Sequence, residues 1–280
     1  MKDRQQYIED NQAHWDELAD HHPHTDHYDV ESFLAGHATL RELERIELDP
    51  TGKRLLHLQC HFGLDTLSWV RDEGVRHATG VDFSPTAIET ARELRDRVGL
   101  DPDRARFIES DVYDLPDRLP ETFDVVFTSY GTIYWLPDIE GWAEVVSAHI
   151  AEGGTFYIAD GHPIAGMFDH ESTGEDLSVA HPYFDSEPIT EEFDGSYAGW
   201  DFGLENQRSH GFAHPLGTIV TALVDAGLEI DFLHEFPWSF FQRFEAMEED
   251  ELGRWWLPDL PYDLPFTFSL RAIKPTSADR

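Results

Sequence analysis

Lysine is nearly missing from this chain of 280 residues: only Lys2, Lys53 and Lys274 occur. Arginine does not make up the deficit, because 20 basic residues face 56 acidic ones and the net charge is −36. The arginines at 92, 95, 97, 104 and 106 alternate with Glu93, Asp96, Asp101 and Asp103, so no basic stripe exists to track phosphates. Nucleic acid is therefore not expected as a partner. Cys60 is the single cysteine, which excludes an internal disulfide. Neither a charged-then-apolar leader nor a long apolar run lies near Met1, so no membrane partner is expected and the expected compartment is the cytoplasm. Disorder is the other reading of so much charge, but 40% hydrophobic and 13% aromatic residues argue for a packed fold. An acidic surface that stays hydrated while salt screens its self-repulsion points to a halophilic setting. The length fits one elaborated α/β domain better than two small ones.

What is present is organised around Lys53 to Gly74, KRLLHLQCHFGLDTLSWVRDEG. Leu55, Leu56 and Leu58 form an apolar run too short and dense for an amphipathic helix, and it predicts a parallel strand buried on both faces. A turn closes at Gly63, after which Leu64, Leu67 and Val70 recur at helical spacing, with Asp65 and Thr66 in the first turn and Gly74 as the stop. Such a strand, turn and helix aims backbone N–H groups at the carboxyl edge of a sheet, where open α/β proteins bind ligands. A second strand, ATGVDF, ends in Asp82, nineteen residues beyond Gly63. That spacing suits a carboxylate accepting from the hydroxyls of a nucleoside ribose. An Asp that only caps the following helix would have the same spacing.

Ser84 and Pro85 open a helix with Ala87, Ile88, Ala91, Leu94 and Val98 on its buried stripe, and Gly99 closes it. Phe107 and Ile108 begin a third strand leading to Asp111 and Val112; Phe123 to Thr128 is a fourth; Thr155 to Ala159, after a helix through Trp142 to Ile150 and a turn at Gly153 and Gly154, is a fifth. Strands alternating with helices of this length predict right-handed crossovers and a parallel sheet. From Pro163 to Ala213 periodicity fails. It returns in a helix through Leu216 to Val224, followed by strands at Leu228 to Phe236 and Phe266 to Ile273, with a helix expected between them around Trp255 and Trp256. Before the first strand, one helix is expected to carry Tyr7, Ile8, Trp15 and Leu18, and a second one Phe33 to Ile46.

The segments LLHLQCHFG, TGVDFSPTAIETAREL, FIESDVYDLP, FDVVFTSYGTIYWLPD and GGTFYIADGHP, in this order and spacing, resemble the class I S-adenosylmethionine-dependent methyltransferases over Thr51 to Pro163. The resemblance implies a Rossmann-like, doubly wound α/β fold with a mainly parallel seven-stranded sheet and an antiparallel last strand. The expected organisation is an N-terminal helical cap or lid over residues 1–50, a methyltransferase core over 51–275 interrupted after strand 5 by a substrate lid over 163–213, and a tail over 276–280. The family's first loop has an acidic residue followed by three alternating glycines; here those positions are His57, Gln59, His61 and Gly63, a variant similar to that of a small-molecule subgroup. By this likeness Gln59, His61, Gly63, Asp82, Phe83, Ser84, Asp111, Val112 and Ser129 are the cofactor-binding candidates, with Asp111 and Val112 meeting the adenine and Ser129 near the transferable methyl. Trp15 and Tyr28 are candidate lid residues.

The implied reaction is methyl transfer from S-adenosyl-L-methionine to a small-molecule acceptor by in-line displacement, which gains most from proximity and orientation. A base is needed only where the acceptor must lose a proton; His162 and Tyr130 are the catalytic candidates. The aromatics of the insertion and one of its histidines make Tyr183, Trp200 and His210 the substrate-binding candidates, although such rings equally serve to pack an insertion onto a core. The histidines of HHPHTDHYD, residues 21–29, straddle Pro23 without the i, i+4 pairing of a helical zinc site, so no metal is assigned. A nonenzymatic S-adenosylmethionine binder or regulator is the alternative. A nicotinamide-dependent oxidoreductase is disfavoured, because one glycine stands in the turn where pyrophosphate prefers three.

Overall fold

The computed structural model describes residues 2–277 apart from 170–171, 173–176, 185–186, 259 and 261–262. The chain begins with α1 (Lys2–His21), α2 (Val30–Leu34) and α3 (Glu42–Glu47), then alternates β1 (Arg54–Leu58), α4 (Leu64–Arg71), β2 (His77–Asp82), α5 (Pro85–Arg97) and β3 (Ala105–Glu109). After α6 (Leu115–Arg118) come β4 (Phe123–Ser129), α7 (Ile139–His149) and β5 (Ile150–Gly161), and after the insertion α8 (Leu216–Asp225), β6 (Glu229–Phe236) and β7 (Thr267–Ile273). The seven strands form one sheet in the order β6-β7-β5-β4-β1-β2-β3. Only β7 runs against its neighbours. The sheet is the expected Rossmann-like one, with β1 between β4 and β2.

Alternation along the strands splits the core into two layers. Leu56, Leu58, Val126, Phe156 and Ile158 pack beneath Trp142 of α7 and Leu223 of α8. Leu55, Val125, Phe127, Tyr157 and Ala159 face the other way, against Leu67 and Trp69 of α4 and Phe33 of α2. That both faces are covered explains why β1 reads as a continuous apolar run. Among the described residues no helix is long and apolar enough to cross a membrane.

Four local expectations change. The second N-terminal helix is two, α2 and α3, because Gly36 takes φ +107° and Glu44 accepts from Arg41 N (2.6 Å) to start α3 afresh. Strand β5 starts at Ile150, directly after α7, and absorbs Gly153 and Gly154 where its register against β4 shifts. The stretch around Trp255–Trp256 is not helical but pairs antiparallel with Glu248–Glu249. Asp250 sets that turn by accepting from Leu252 N (2.9 Å), Arg254 N (3.1 Å) and Trp256 Nε1 (3.0 Å). The insertion is also more regular than its sequence: Ile189–Glu192 pairs with Arg208–Gly211, and inside that ribbon Gly195–Ser196 pairs with Gly199–Trp200.

Candidate active site

The carboxyl ends of β1, β2, β3, β4 and β5 open into a cavity of about 1350 Å³, roofed by α1, the insertion and the segment around Phe240. Its floor is the loop after β1. Gln59, His61 and Gly63 all have left-handed backbone, with φ of 55°, 50° and 76°, so the three alternating positions keep a glycine-like path although two carry side chains. Each left-handed non-glycine residue stores about 1–2 kcal/mol. Gly63 itself is held by packing: a Cβ there would lie 2.5 Å from Phe107 Cε1 and 3.1 Å from Ala91 Cβ.

Asp82, at the end of β2, binds this loop to the next helix. Its Oδ2 accepts from His61 N (2.8 Å) and its Oδ1 from Ser84 N (3.0 Å). Burial pushes its carboxyl up to about 6, against the opposing pull of these backbone donors. Asp111 caps the turn after β3 through Tyr113 N (3.0 Å), and burial raises its pKa as well. Asp160, at the end of β5, accepts from Gly131 N (2.5 Å), Thr132 N (3.0 Å), Ile133 N (3.1 Å), Gly161 N (2.6 Å) and Thr132 Oγ1 (3.1 Å). It is thus the anchor that holds the turn after β4 against the end of β5.

Of the residues singled out from sequence, Gln59, His61, Gly63, Asp82, Phe83, Asp111, Val112, Ser129, Tyr130 and His162 line the cavity together, as do Trp15 and Tyr28. The two catalytic candidates are both engaged. Tyr130 donates to Glu44 Oε2 (2.8 Å), and burial beside that carboxylate holds its phenol far above the usual range. His162 Nδ1 accepts from Ile164 N (3.1 Å), which takes the lone pair a base would use, while Nε2 lies 2.9 Å from Glu235 Oε1. Burial lowers its pKa despite Glu235.

Other candidates lie elsewhere. Ser84 sits behind the floor, donating to Asp16 Oδ1 (2.6 Å) and capping α5 through Ala87 N (3.0 Å). His210 is fixed between Asp10 Oδ2 (2.9 Å) and Thr190 Oγ1 (2.9 Å), while its backbone N–H donates to Asn11 Oδ1 (2.7 Å), so it clamps α1 to the insertion and does not line the cavity. Tyr183 accepts from Leu216 N (3.0 Å) at the start of α8; its neighbours His181 and Pro182 reach the cavity instead. The side chain of Trp200 lies outside the described residues. Of the histidine-rich segment, His22 is buried, with Nδ1 2.9 Å from His61 Nε2 and Nε2 2.8 Å from Ser196 Oγ. Burial brings the pKa of His22 down to about 2 and that of His61 to about 3, so the pair is neutral. Among the described residues no three His, Cys, Asp or Glu side chains are grouped to hold a metal ion.

Gln59, a cofactor candidate from the sequence, has its Oε1 buried without a hydrogen-bond partner. Two further acceptors were not legible in advance as site groups. Asp65, on the first turn of α4, accepts from Thr39 Oγ1 (2.5 Å) and Ser129 Oγ (3.3 Å), with its pKa raised by burial. Glu44 lies fully buried behind Tyr130, pushed up from an ordinary 4.5 to about 7 by burial first and by Asp65 second. The folded protein therefore keeps a proton that the unfolded chain has released. This contribution is complete below pH 4.5 and is lost as pH rises through about 7, amounting to about 3 kcal/mol. Glu44→Gln should flatten the fall of stability between those limits by about that amount, read from urea midpoints of both proteins at pH 5 and pH 8. Parallel slopes would remove Glu44 as the titrating group.

Residues 56–156 match the protein-family model described as a methyltransferase domain. The matched stretch is a methyltransferase domain. The seven-stranded sheet around it, with its one antiparallel strand, has the fold of S-adenosylmethionine-dependent methyltransferases of known structure. A curated relative, "Probable phthiotriol/phenolphthiotriol dimycocerosates methyltransferase 2" of Mycobacterium ulcerans (strain Agy99), is 28% identical over 136 residues, 49% of this chain and 50% of its own. The chain thus spans about half the length of that relative. In fold, the methyltransferase domain and its surroundings are similar to an S-adenosylmethionine-dependent methyltransferase of Mesorhizobium loti (TM-score 0.57, 20% identity, covering 86% of this chain and 99% of that one). They are also similar to geranyl diphosphate C-methyltransferase of Streptomyces coelicolor A3(2), solved with S-adenosyl-L-homocysteine (TM-score 0.53, 12% identity, 83% and 77%).

Proposed function

We propose that this chain binds S-adenosyl-L-methionine and transfers its methyl group to a small-molecule acceptor by in-line displacement. The observation that carries the reading is the convergence of the left-handed loop at 59, 61 and 63 with Asp82, Asp111 and Val112 on one cavity at consecutive strand ends. The donor set fits the cofactor. Each Asp82 oxygen retains a lone pair for a ribose hydroxyl, and the orphaned Gln59 Oε1 together with Asp65 offers acceptors for a methionine ammonium. Asp111 and Val112 stand for the adenine, Phe83 and His61 for its walls, and Ser129 for the methyl end. Buried carboxylates whose pKa is raised are also the surroundings a sulfonium cation would relieve.

S-adenosylmethionine, when bound, supplies an electrophilic methyl group that needs little activation. The chain's own task is then to exclude water and hold the acceptor in line. Tyr130 and His162 serve this as positioning groups, since the Tyr130 hydroxyl donates to Glu44 and the Nδ1 lone pair of His162 is taken by Ile164 N. Residues 1–50 and 163–213 act as the two halves of a lid. Asn11 ties them together, donating to His210 O (2.9 Å), and Glu17 accepts from Glu205 N (2.7 Å) and Asn206 N (2.8 Å). The same helix reaches the core, with Gln12 donating to Phe83 O (2.7 Å). The acidic surface belongs to a protein working in a salt-rich cytoplasm; raising KCl from about 0.1 to about 2 M should raise the thermal midpoint, as repulsion among 56 acidic residues is screened. Radiolabelled methyl transfer from S-adenosylmethionine into a metabolite extract tests the reaction. Label in small molecules is the expected result; label in RNA or DNA alone, or cofactor binding without any transfer, would replace it with a different substrate or with a regulatory binder.

A further inference from the structure

Two guanidinium groups line the cavity, and they are not equivalent. Arg41 is spent on structure, donating through Nη1 to Gly253 O (2.9 Å) and through Nη2 to Phe240 O (2.8 Å). Arg243 lines the same cavity, yet its Nε is buried with no hydrogen-bond partner, and among the described residues it forms no ion pair. Its guanidinium lies 5.9 Å from the ring of its own neighbour, Phe244. In a chain with 56 acidic and 20 basic residues, carboxylates to pair with are plentiful. Glu191 acts on Arg243 only through space, and Glu192 is directed to Arg208 (3.6 Å). Leaving a buried guanidinium nitrogen unsatisfied costs stability, so an external partner is the economical explanation.

The place of Arg243 says which ligand that partner belongs to. Its segment is fixed on the acceptor side, since Phe240 packs on Tyr130 at the end of β4 (ring centroids 4.7 Å) and against Gly161 at the end of β5. Tyr134, in the turn after β4, also lines the cavity within electrostatic reach of Arg243. The cofactor side at β1 to β3 presents Asp65, Asp82 and Asp111. Carboxylates also line the acceptor side, with Glu191 and Glu192 on the insertion and Glu245 two residues from Arg243, so what distinguishes that side is a guanidinium whose Nε has no hydrogen-bond partner.

Resting on the methyl-transfer reading for which ligand is the acceptor, we infer that Arg243 binds a carboxylate on the methyl acceptor, with Tyr134 as its neighbour in that subsite. Arginine's planar fork matches a carboxylate in two parallel hydrogen bonds, and the apolar rings around it exclude competing water.

The test uses the full chain and matched fragments: a set of small aromatic and aliphatic carboxylic acids and their primary amides, followed by ligand-observed NMR and then titration. The acids are expected to bind and the amides not. Arg243→Gln should weaken the acids by about 10-fold or more, and Arg243→Lys should restore part of that loss because it keeps the charge without the fork. Binding of S-adenosylhomocysteine should change by less than about twofold in either variant, which also reports that the fold is intact. Amides binding as often as acids, no acid binding at all, or acid affinity indifferent to Arg243→Gln would each overturn the assignment. Failure of wild-type protein to bind S-adenosylhomocysteine would instead overturn the cofactor reading, and the fragment result would stand apart from it.

Discussion

Asp160→Ala should cost about 4 kcal/mol or more of stability and abolish methyl transfer, the largest effect expected of any single substitution in the site. The carboxylate is only 4% exposed and satisfies four backbone N–H groups and one hydroxyl. Removing it leaves those donors buried without partners, at about 1–3 kcal/mol each before relaxation. The turn it anchors includes Tyr130 at φ 21° and Gly131 at φ 79°, a path with little reason to persist once the acceptor is gone. Asp160→Asn keeps one acceptor oxygen and should lose about half as much. Urea denaturation of the three proteins decides it: a midpoint for Asp160→Ala within experimental error of wild type would show that the turn holds itself.

The second large effect belongs to Gly63→Val. The added Cβ would stand 2.5 Å from Phe107 Cε1 and 2.8 Å from its Cζ, on a backbone at φ +76°. Overpacking of this kind costs about 1–3 kcal/mol and a left-handed β-branched residue about 1–2 kcal/mol more, so a loss of about 3 kcal/mol is expected. That corresponds to a fall of about 5 °C in the thermal midpoint for a chain of this size. Because Gly63 is the residue from which the loop after β1 enters α4, the cavity floor should deform with it. A variant as stable as wild type, with cofactor affinity retained, would show that Phe107 yields and that this glycine is not required.

The sheet was legible because its cause is local. Leu55, Leu56 and Leu58 must be apolar on both sides of a central strand, and Ser84–Pro85 and Gly99 mark the ends of α5 by the hydrogen bonds they make or lack. The same holds for Asp82, whose distance from Gly63 is set by one strand, one turn and one helix. What escaped is long-range. Tyr183 and His210 look like acceptor residues in sequence, yet one caps α8 and the other clamps α1, partners more than thirty and nearly two hundred positions away. Trp255 and Trp256 carry no helical stripe to betray that Asp250 folds them into a hairpin. Nothing in the composition of His61 announces that it will hold a left-handed backbone; only its place between two other such residues does. Arg243 lies in a stretch without periodicity, and that its Nε is left without a partner is decided by packing against distant elements.

The proposal that these strand ends form a cofactor site meets its most direct test in calorimetric titration of S-adenosylhomocysteine into the full chain at high salt, with Asp82→Asn alongside. One binding site per chain is expected, with the variant weaker by about 10- to 100-fold, as a charge-assisted hydrogen bond worth about 1.5–3 kcal/mol is lost. No heat of binding with the nucleoside, or equal affinity in the folded variant, would contradict the assignment of this cavity to S-adenosylmethionine.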